Sequence, residues 1–151
     1  MSSKFQAWTL IARPEGLPTR DLFELRDFED APLADGEVRV RNDWLTVGPA
    51  VGEVIASRAP DFKPGDMTLH QFGMRDFGQG PSAAFEKLPS IGSPEDYLNA
   101  MGSTGFVAYF GLLEICKAEP GETLFVSGAA GAVGSTAVQI GKAIGLKVIA
   151  S

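Results

Sequence analysis

Glu122-Thr123-Leu124-Phe125-Val126-Ser127-Gly128-Ala129-Ala130-Gly131-Ala132-Val133-Gly134-Ser135, continued to Ser151, is the stretch whose reading decides the fold. Thr123–Ser127 is a short apolar run of the length and composition of a buried strand. The small residues 128–134 form a turn, and Ser135 to Ile144 reads as a helix with Val138 and Ile140 set among small side chains. Gly145 is suited to cap that helix at its C-terminal end, and Leu146-Lys147-Val148-Ile149-Ala150 is a second strand. Strand, glycine-rich turn, helix and strand in this order make one βαβ unit.

The turn carries a variant of the dinucleotide fingerprint Gly-x-Gly-x-x-Gly, as Ala129-x-Gly131-x-x-Gly134 with alanine in the first place. The first position must allow a tight turn. Gly131, without a Cβ, lets a pyrophosphate approach the backbone, and Gly134 lets the helix lie close on the strand. The free N–H groups of the first helical turn, around Ala132 and Val133, would face the phosphate oxygens. The competing reading is that small residues here serve only helix–sheet packing. The complete strand–turn–helix–strand context favours the nucleotide site. The acid that reads the ribose should follow the turn by roughly 20 residues. That count reaches about Ile149, so the choice between NAD and NADP falls at or beyond Ser151, and these residues do not make it.

Upstream of the strand, Ser93-Pro94-Glu95-Asp96 has the order of a helix start, with an N-cap serine and proline in the first helical position. A helix is expected from Pro94 to about Met101, interrupted by Gly102–Gly105. A second is expected from Phe106 to Lys117, with Val107, Phe110 and Leu113 on its apolar face. The first half of the chain has a different texture, with eight of the ten prolines and short strands between turns. Strands are predicted at Phe5–Ile11, Leu22–Leu25, Glu37–Asn42, Gly52–Ser57 and Met67–Leu69, which suggests a small barrel or sandwich.

Composition excludes several classes. The 151 residues are 44% hydrophobic and 21% charged, in the range of ordinary globular chains. Thirteen basic against nineteen acidic residues leave a net charge of −6, which disfavours nucleic acid as a partner. No apolar run approaches a membrane span of roughly 18 residues, and Met1–Gln6 lacks the apolar run of a signal peptide. The single cysteine, Cys116, excludes an internal disulfide. A reducing, cytoplasmic setting is the simplest expectation.

Other candidate groups favour structural roles. One histidine, His70, and one cysteine do not supply the three or four ligands of a zinc site, so no metal is expected. Cys116 is expected to be a buried small side chain, and His70 an exposed loop residue. Ser127 lacks the Gly-x-Ser-x-Gly setting of a hydrolase nucleophile. Tyr109 and Phe110 offer stacking surfaces for a nicotinamide or adenine ring, but beside Leu112 and Leu113 the core reading is preferred. Asp27-Phe28-Glu29-Asp30 reads as a solvated turn.

Taken together, Phe62-Lys63-Pro64-Gly65-Asp66, Ala108-Tyr109-Phe110-Gly111-Leu112-Leu113-Glu114 and Gly128-Ala129-Ala130-Gly131-Ala132-Val133-Gly134-Ser135 resemble the medium-chain dehydrogenase/reductase superfamily. Val40-Arg41-Asn42 and Val51–Ser57 are similar to its zinc-free branch of leukotriene B4 12-hydroxydehydrogenase/prostaglandin reductases and 2-alkenal reductases. The resemblance implies an α/β protein, with a GroES-like β-barrel domain at 4–92 followed by the start of a Rossmann NADP-binding domain at 93–151. It implies NADPH-dependent reduction of the C=C bond of an α,β-unsaturated aldehyde or ketone. By position, Ala130, Gly131, Ala132, Val133 and Gly134 would hold the pyrophosphate, with Ser103 and Val107 near the nicotinamide. Val107 stands where the family usually has threonine. A family segment that helps to wall the active site is missing near residues 47–51. The family pattern continues through more strands than this chain has. The expectation is therefore a truncated form with impaired turnover and a tendency to self-associate, the alternative being a non-catalytic binding module derived from the family.

Overall fold

The computed structural model describes residues 4–151; residues 1–3, part of the stretch read for a leader, lie outside it. The chain divides into two compact units, with the boundary between Pro94 and Glu95.

The first unit is built from antiparallel strands. β1 (Lys4–Leu10) and β2 (Phe23–Glu29) form a two-stranded ribbon in which Trp8 faces Leu25 and Leu10 faces Phe23. The remaining strands, β3 (Glu37–Leu45), β4 (Ala50–Ser57), β5 (Met67–His70), β6 (Phe77–Pro81) and β7 (Phe85–Lys87), form one sheet in the order β6-β3-β4-β5-β7. The period-two pattern of Glu37–Asn42 has its expected consequence. Val38 and Val40 are fully buried, while Glu37, Arg39 and Arg41 on the other face are not. Val54, Ala59, Phe62 and Phe85 complete this core, with Phe72 packed against it. Burying each large apolar side chain here contributes roughly 1.5–3 kcal/mol before entropy is counted. Register shifts between Arg39 and Val40, and between Asn42 and Trp44, mark irregularities in the β3–β4 ladder; bulges of this kind bend a strand and raise its twist.

β3 and β4 are joined by a tight turn. Pro49 O accepts both from the Thr46 N–H (3.1 Å) and from Thr46 Oγ1 (2.8 Å), leaving Val47 at the tip almost fully exposed. This turn occupies the place assigned above to the missing family segment.

One expectation for this unit is corrected here. Asp27, Phe28 and Glu29 are not a solvated turn but the end of β2, held by pairing with Gln6, Phe5 and Lys4 and by stacking of Phe5 on Phe28 at 5.4 Å. Asp30, just beyond, is bonded to Arg39 Nη1 at 2.7 Å. Both side chains are about four-fifths buried. The same guanidinium donates through Nε to Gln79 Oε1 (3.0 Å) and through Nη2 to the Ala31 carbonyl, tying β2, β3 and β6 together. Arg39→Ala is expected to cost about 2 kcal/mol, because it removes the cation facing a largely buried Asp30 carboxylate and the donor to Gln79 Oε1. A lowered urea midpoint at unchanged slope would show this. Arg39→Lys should recover less than half, since an ammonium cannot serve three acceptors in one plane.

In the second unit the expected helix from Pro94 shrinks to a 3-10 segment, Pro94–Leu98. α1 spans Ser103–Tyr109 and continues as a π-helical turn, Phe110–Ile115. The glycine-bearing stretch from Ser103 therefore lies inside the helix rather than interrupting it. β8 (Thr123–Val126) pairs in parallel with β9 (Lys147–Ala150), and α2 (Ala132–Ala143) crosses between them. Gly141 of α2 rests on Leu124, Val148 and Leu146. Alternation along the strands turns Phe125 and Ile149, which are register partners, to the opposite face, where both are more than half exposed. The mixed architecture, an antiparallel barrel-type sheet followed by a parallel βαβ unit, is that of the expected GroES-like and Rossmann elements.

Candidate functional site

The site is assembled where β8 ends and α2 begins. Gly128 adopts φ +66° and is the left-handed residue of the tight turn, while Ala129, in the first fingerprint place, keeps a φ that alanine tolerates. The turn closes through Gly131 N–H to Gly128 O (2.9 Å). Gly131 is the extended N-cap, and the first helical bond of α2 runs from Ser135 N–H to Gly131 O (2.8 Å). No side chain caps the helix. Among the described residues, no acceptor takes the N–H groups of Ala132, Val133 and Gly134. These donors lie at the positive end of a three-turn dipole, the arrangement that binds phosphate.

The steric roles read from sequence hold in part. A Cβ on Gly134 would lie 2.4 Å from Gly128 O and 3.0 Å from Ala129 Cα, so only glycine lets the helix start this close to the strand end. A Cβ on Gly131 would meet only Gly128 O, at 3.2 Å, and its other side is open to an approaching ligand. Ala130, Gly131, Ala132 and Val133 are exposed and Gly134 is half-buried, so the five form one contiguous accessible strip. From Ser127 to Gly141 the sequence has no charged residue, so the strip meets an anion with backbone dipoles and no nearby carboxylate on its own element. β9 returns beside the turn: Ser151 N–H donates to Val126 O (3.0 Å) and Ser151 O accepts from Ala129 N–H (3.0 Å). That link between strand end and turn carries no sequence signal.

Ser103 and Val107 are not part of this strip. They lie on α1, one turn apart and both exposed, so they share a helix face. α1 packs on α2. The buried side of α1 is Gly105 and Ala108, continued by Leu112, and not the Val107–Phe110–Leu113 face expected from periodicity. Tyr109 and Phe110, expected in the core, are nearly half exposed. With Phe106 they wall an open apolar groove of about 400 Å³, together with Ala100, Met101 and Gly105. The Phe106 and Phe110 rings stack at 6.0 Å and Tyr109 meets Phe110 edge-on at 5.5 Å.

Two residues depart from expectation outright. Cys116 is exposed, not buried. The π-helical turn before it adds a residue to the turn and rotates the face that a 3.6-residue period would have turned inward. His70 is 1% exposed at the end of β5 instead of lying in an exposed loop. Its Nε2 bonds Asn42 Oδ1 at 2.7 Å and its Nδ1 accepts from Phe72 N–H at 3.2 Å. With both nitrogens engaged inside the barrel core, His70 has no access to a ligand. Among the described residues no three His, Cys, Asp or Glu side chains are placed to hold a metal ion, and no helix is long and apolar enough to cross a membrane.

Comparison with known proteins converges on one group. Residues 6–51 match the family model of an N-terminal domain of oxidoreductase. The chain is 32% identical to the NADPH-dependent curcumin reductase of Escherichia coli, across 94% of this chain and 49% of that protein. It is 36% identical to bovine prostaglandin reductase 1, across 95% of this chain and 50% of that protein. The crystal structure of CurA from Vibrio vulnificus in complex with NADPH superposes with a TM-score of 0.78 at 33% identity, covering 96% of this chain and 51% of that one. The chain thus spans about half the length of the curated relatives it matches. The alignment with the curcumin reductase runs over 168 positions and takes in 94% of the 151 residues here, about 142, so about 26 positions face no residue of this chain. The relatives, the family model over residues 6–51 and the NADPH-bound neighbour point to the same group, and the chain belongs to the zinc-free reductase branch of the medium-chain dehydrogenase/reductase superfamily.

Proposed function

We propose that the strip Ala130–Gly134 binds the pyrophosphate of NADPH, and that the protein's lineage function is reduction of the C=C bond of an α,β-unsaturated aldehyde or ketone. The observation that carries the first part is the set of free N–H groups on Ala132, Val133 and Gly134, beside a Gly131 whose missing Cβ leaves the backbone open. When bound, NADPH supplies a hydride. This chain's own contribution is binding and orientation: the α2 N-terminus meets the phosphates, and Ser103 and Val107 on α1 offer a hydroxyl and an apolar contact toward the nicotinamide. Valine at 107 removes one hydroxyl from that contact. The apolar groove of Phe106, Tyr109 and Phe110 suits a flat, weakly polar molecule. A cytoplasmic setting and a small-molecule enone or enal substrate belong to the same reading.

A second reading, a binding module that retains the fold without turnover, is favoured by one observation. The β3–β4 connection is closed to the tight Thr46–Pro49 turn, so a wall of the substrate site expected from the family is not supplied there.

The two readings part in a cofactor titration followed by thermal unfolding. If the strip binds NADPH, saturation at a hundred times Kd should stabilise the protein by about 2.7 kcal/mol, with NADH weaker, and consumption of NADPH on adding a simple enone would extend the result to catalysis. A folded chain whose midpoint does not move with NADPH would overturn the nucleotide reading and leave the module.

A further inference from the structure

Thr136 is a buried polar side chain, 4% exposed, in the second turn of α2. Its Oγ1 donates to Ala132 O at 3.0 Å, and Ser135 Oγ reaches the same carbonyl at 3.2 Å. In a planar trans peptide the carbonyl of one residue and the N–H of the next point in opposite directions. Holding Ala132 O therefore sets the aim of Val133 N–H, one of the unengaged donors of the strip. Hydroxyls that bond back along a helix usually bend or weaken it slightly, so two of them on one carbonyl at this turn call for a local explanation.

A further contact joins this turn to α1. Asn99 Oδ1 lies 3.5 Å from Thr136 Oγ1, a second and longer acceptor for the one hydroxyl proton that Ala132 O takes at 3.0 Å. Asn99 is also the hub of the loop entering α1: its main-chain carbonyl accepts from Gly102 N–H (3.1 Å), Gly105 N–H (3.2 Å) and Thr104 Oγ1 (2.7 Å). The loop that positions Ser103 and the peptide that aims Val133 N–H thus share one hydroxyl.

We propose that Thr136 is a positioning residue of the nucleotide site, which aims the Val133 N–H at phosphate by holding the Ala132 carbonyl and keys that peptide to the α1 loop through Asn99. This rests on the reading of Ala130–Gly134 as an NADPH site. Thr136→Val keeps the shape and removes the hydroxyl; it is expected to weaken NADPH binding about tenfold. Thr136→Ser, which keeps the hydroxyl, should stay within about threefold of the unaltered protein. Asn99→Ala, at an exposed loop position, should weaken binding about threefold, and the double variant Asn99→Ala/Thr136→Val should be no weaker than Thr136→Val alone, because both act through one contact.

The experiment is an NADPH titration of these variants, with the Val133 amide resonance followed by NMR. The expected result is a large Val133 shift on NADPH addition in the unaltered protein, reduced in Thr136→Val and restored in Thr136→Ser. A purely structural role would lower the melting point without cofactor and leave affinity and the Val133 shift unchanged, which overturns the proposal. Equal loss in the serine and valine variants overturns it too, since the methyl and not the hydroxyl would then matter. If Thr136→Val does not fold, Asn99→Ala decides, and affinity unchanged there overturns the proposal. No NADPH binding by the unaltered protein overturns the nucleotide reading itself and this inference with it.

Discussion

Gly134→Val is expected to abolish measurable NADPH binding, lowering affinity at least about a hundredfold, and to destabilise the protein by about 3 kcal/mol. The atoms a new Cβ would strike at 2.4 and 3.0 Å are the Gly128 carbonyl oxygen and the Ala129 Cα. Both are backbone, so no change of rotamer relieves the clash and the turn must open. Opening it moves the Gly128–Gly131 bond, the N-cap and the N–H groups beyond it together. Gly131→Ala makes the informative contrast. Its Cβ meets Gly128 O at 3.2 Å, a tight contact relieved by a shift of a few tenths of an ångström, and otherwise points to open space. Stability should change by well under 1 kcal/mol while NADPH affinity falls about tenfold, because the methyl stands where the pyrophosphate would approach. Calorimetric titration and urea unfolding of the two variants separate the effects. Wild-type affinity in Gly134→Val would end the nucleotide reading of this turn.

The second large effect is a loss of stability in mild acid. His70 is pushed down to about 4, first by burial and then by the Arg75 charge. The hydrogen bonds give the same direction. Asn42 Nδ2 donates to Arg75 O (2.9 Å), which fixes the amide so that Oδ1 faces Nε2 of His70. Nδ1 is already an acceptor for Phe72 N–H, so a second ring proton would point at a donor. The rings of Phe72 and Phe85, each centred 5.2 Å away, supply no oxygen or nitrogen acceptor for that proton. In the unfolded chain the imidazole titrates near 6.5. Above that pH both states are neutral and His70 makes no pH-dependent contribution. Between about 6.5 and 4 the unfolded state takes up a proton that the folded state refuses, so stability falls as pH falls, by about 3 kcal/mol in total, and levels off below about 4. Unfolding free energies measured across that range, with His70→Gln as reference, test this. The variant should start less stable at pH 7 and show a shallower decline, and parallel curves would remove His70 as the source.

How much of this was legible in the sequence depends on the range of the interactions involved. β3 and β4 announce themselves because Val38, Val40 and Val54 carry the burial pattern locally. The βαβ unit does so because turn, helix and cap are contiguous. β6 and β7 were not foreseen. Phe77-Gly78-Gln79-Gly80-Pro81 has glycines where a strand would show apolar side chains, since Phe72 and His70 fill that space from elsewhere. The end of β2 reads as a turn for a related reason: its acidic residues are exposed, and only pairing with Lys4–Gln6 from a distant part of the chain makes them strand. Within the site, the small residues of the strip could be named from spacing alone. That the left-handed residue of the turn is Gly128 is visible in the folded backbone and has no mark in the fingerprint. The bond from Ala129 to Ser151 and the link from Thr136 to Asn99 join segments with no shared motif, and only the folded chain displays them.

The Thr46–Pro49 turn has a consequence for how such proteins diversify. Because Leu45 and Ala50 are already paired across the ladder, the register of β3 and β4 is settled before the chain reaches Val47. A connection spliced in at Val47 would face solvent on both sides, and each doubling of its length would cost only about 0.6 kcal/mol in closure entropy. The barrel therefore treats this position as a socket: segments can be exchanged, lengthened or deleted there while the core is left as it was. A lineage built on it can sample new pocket linings at nearly constant foldability, and grafting a relative's segment between Thr46 and Pro49 becomes a practical way to refit this scaffold for a chosen ligand.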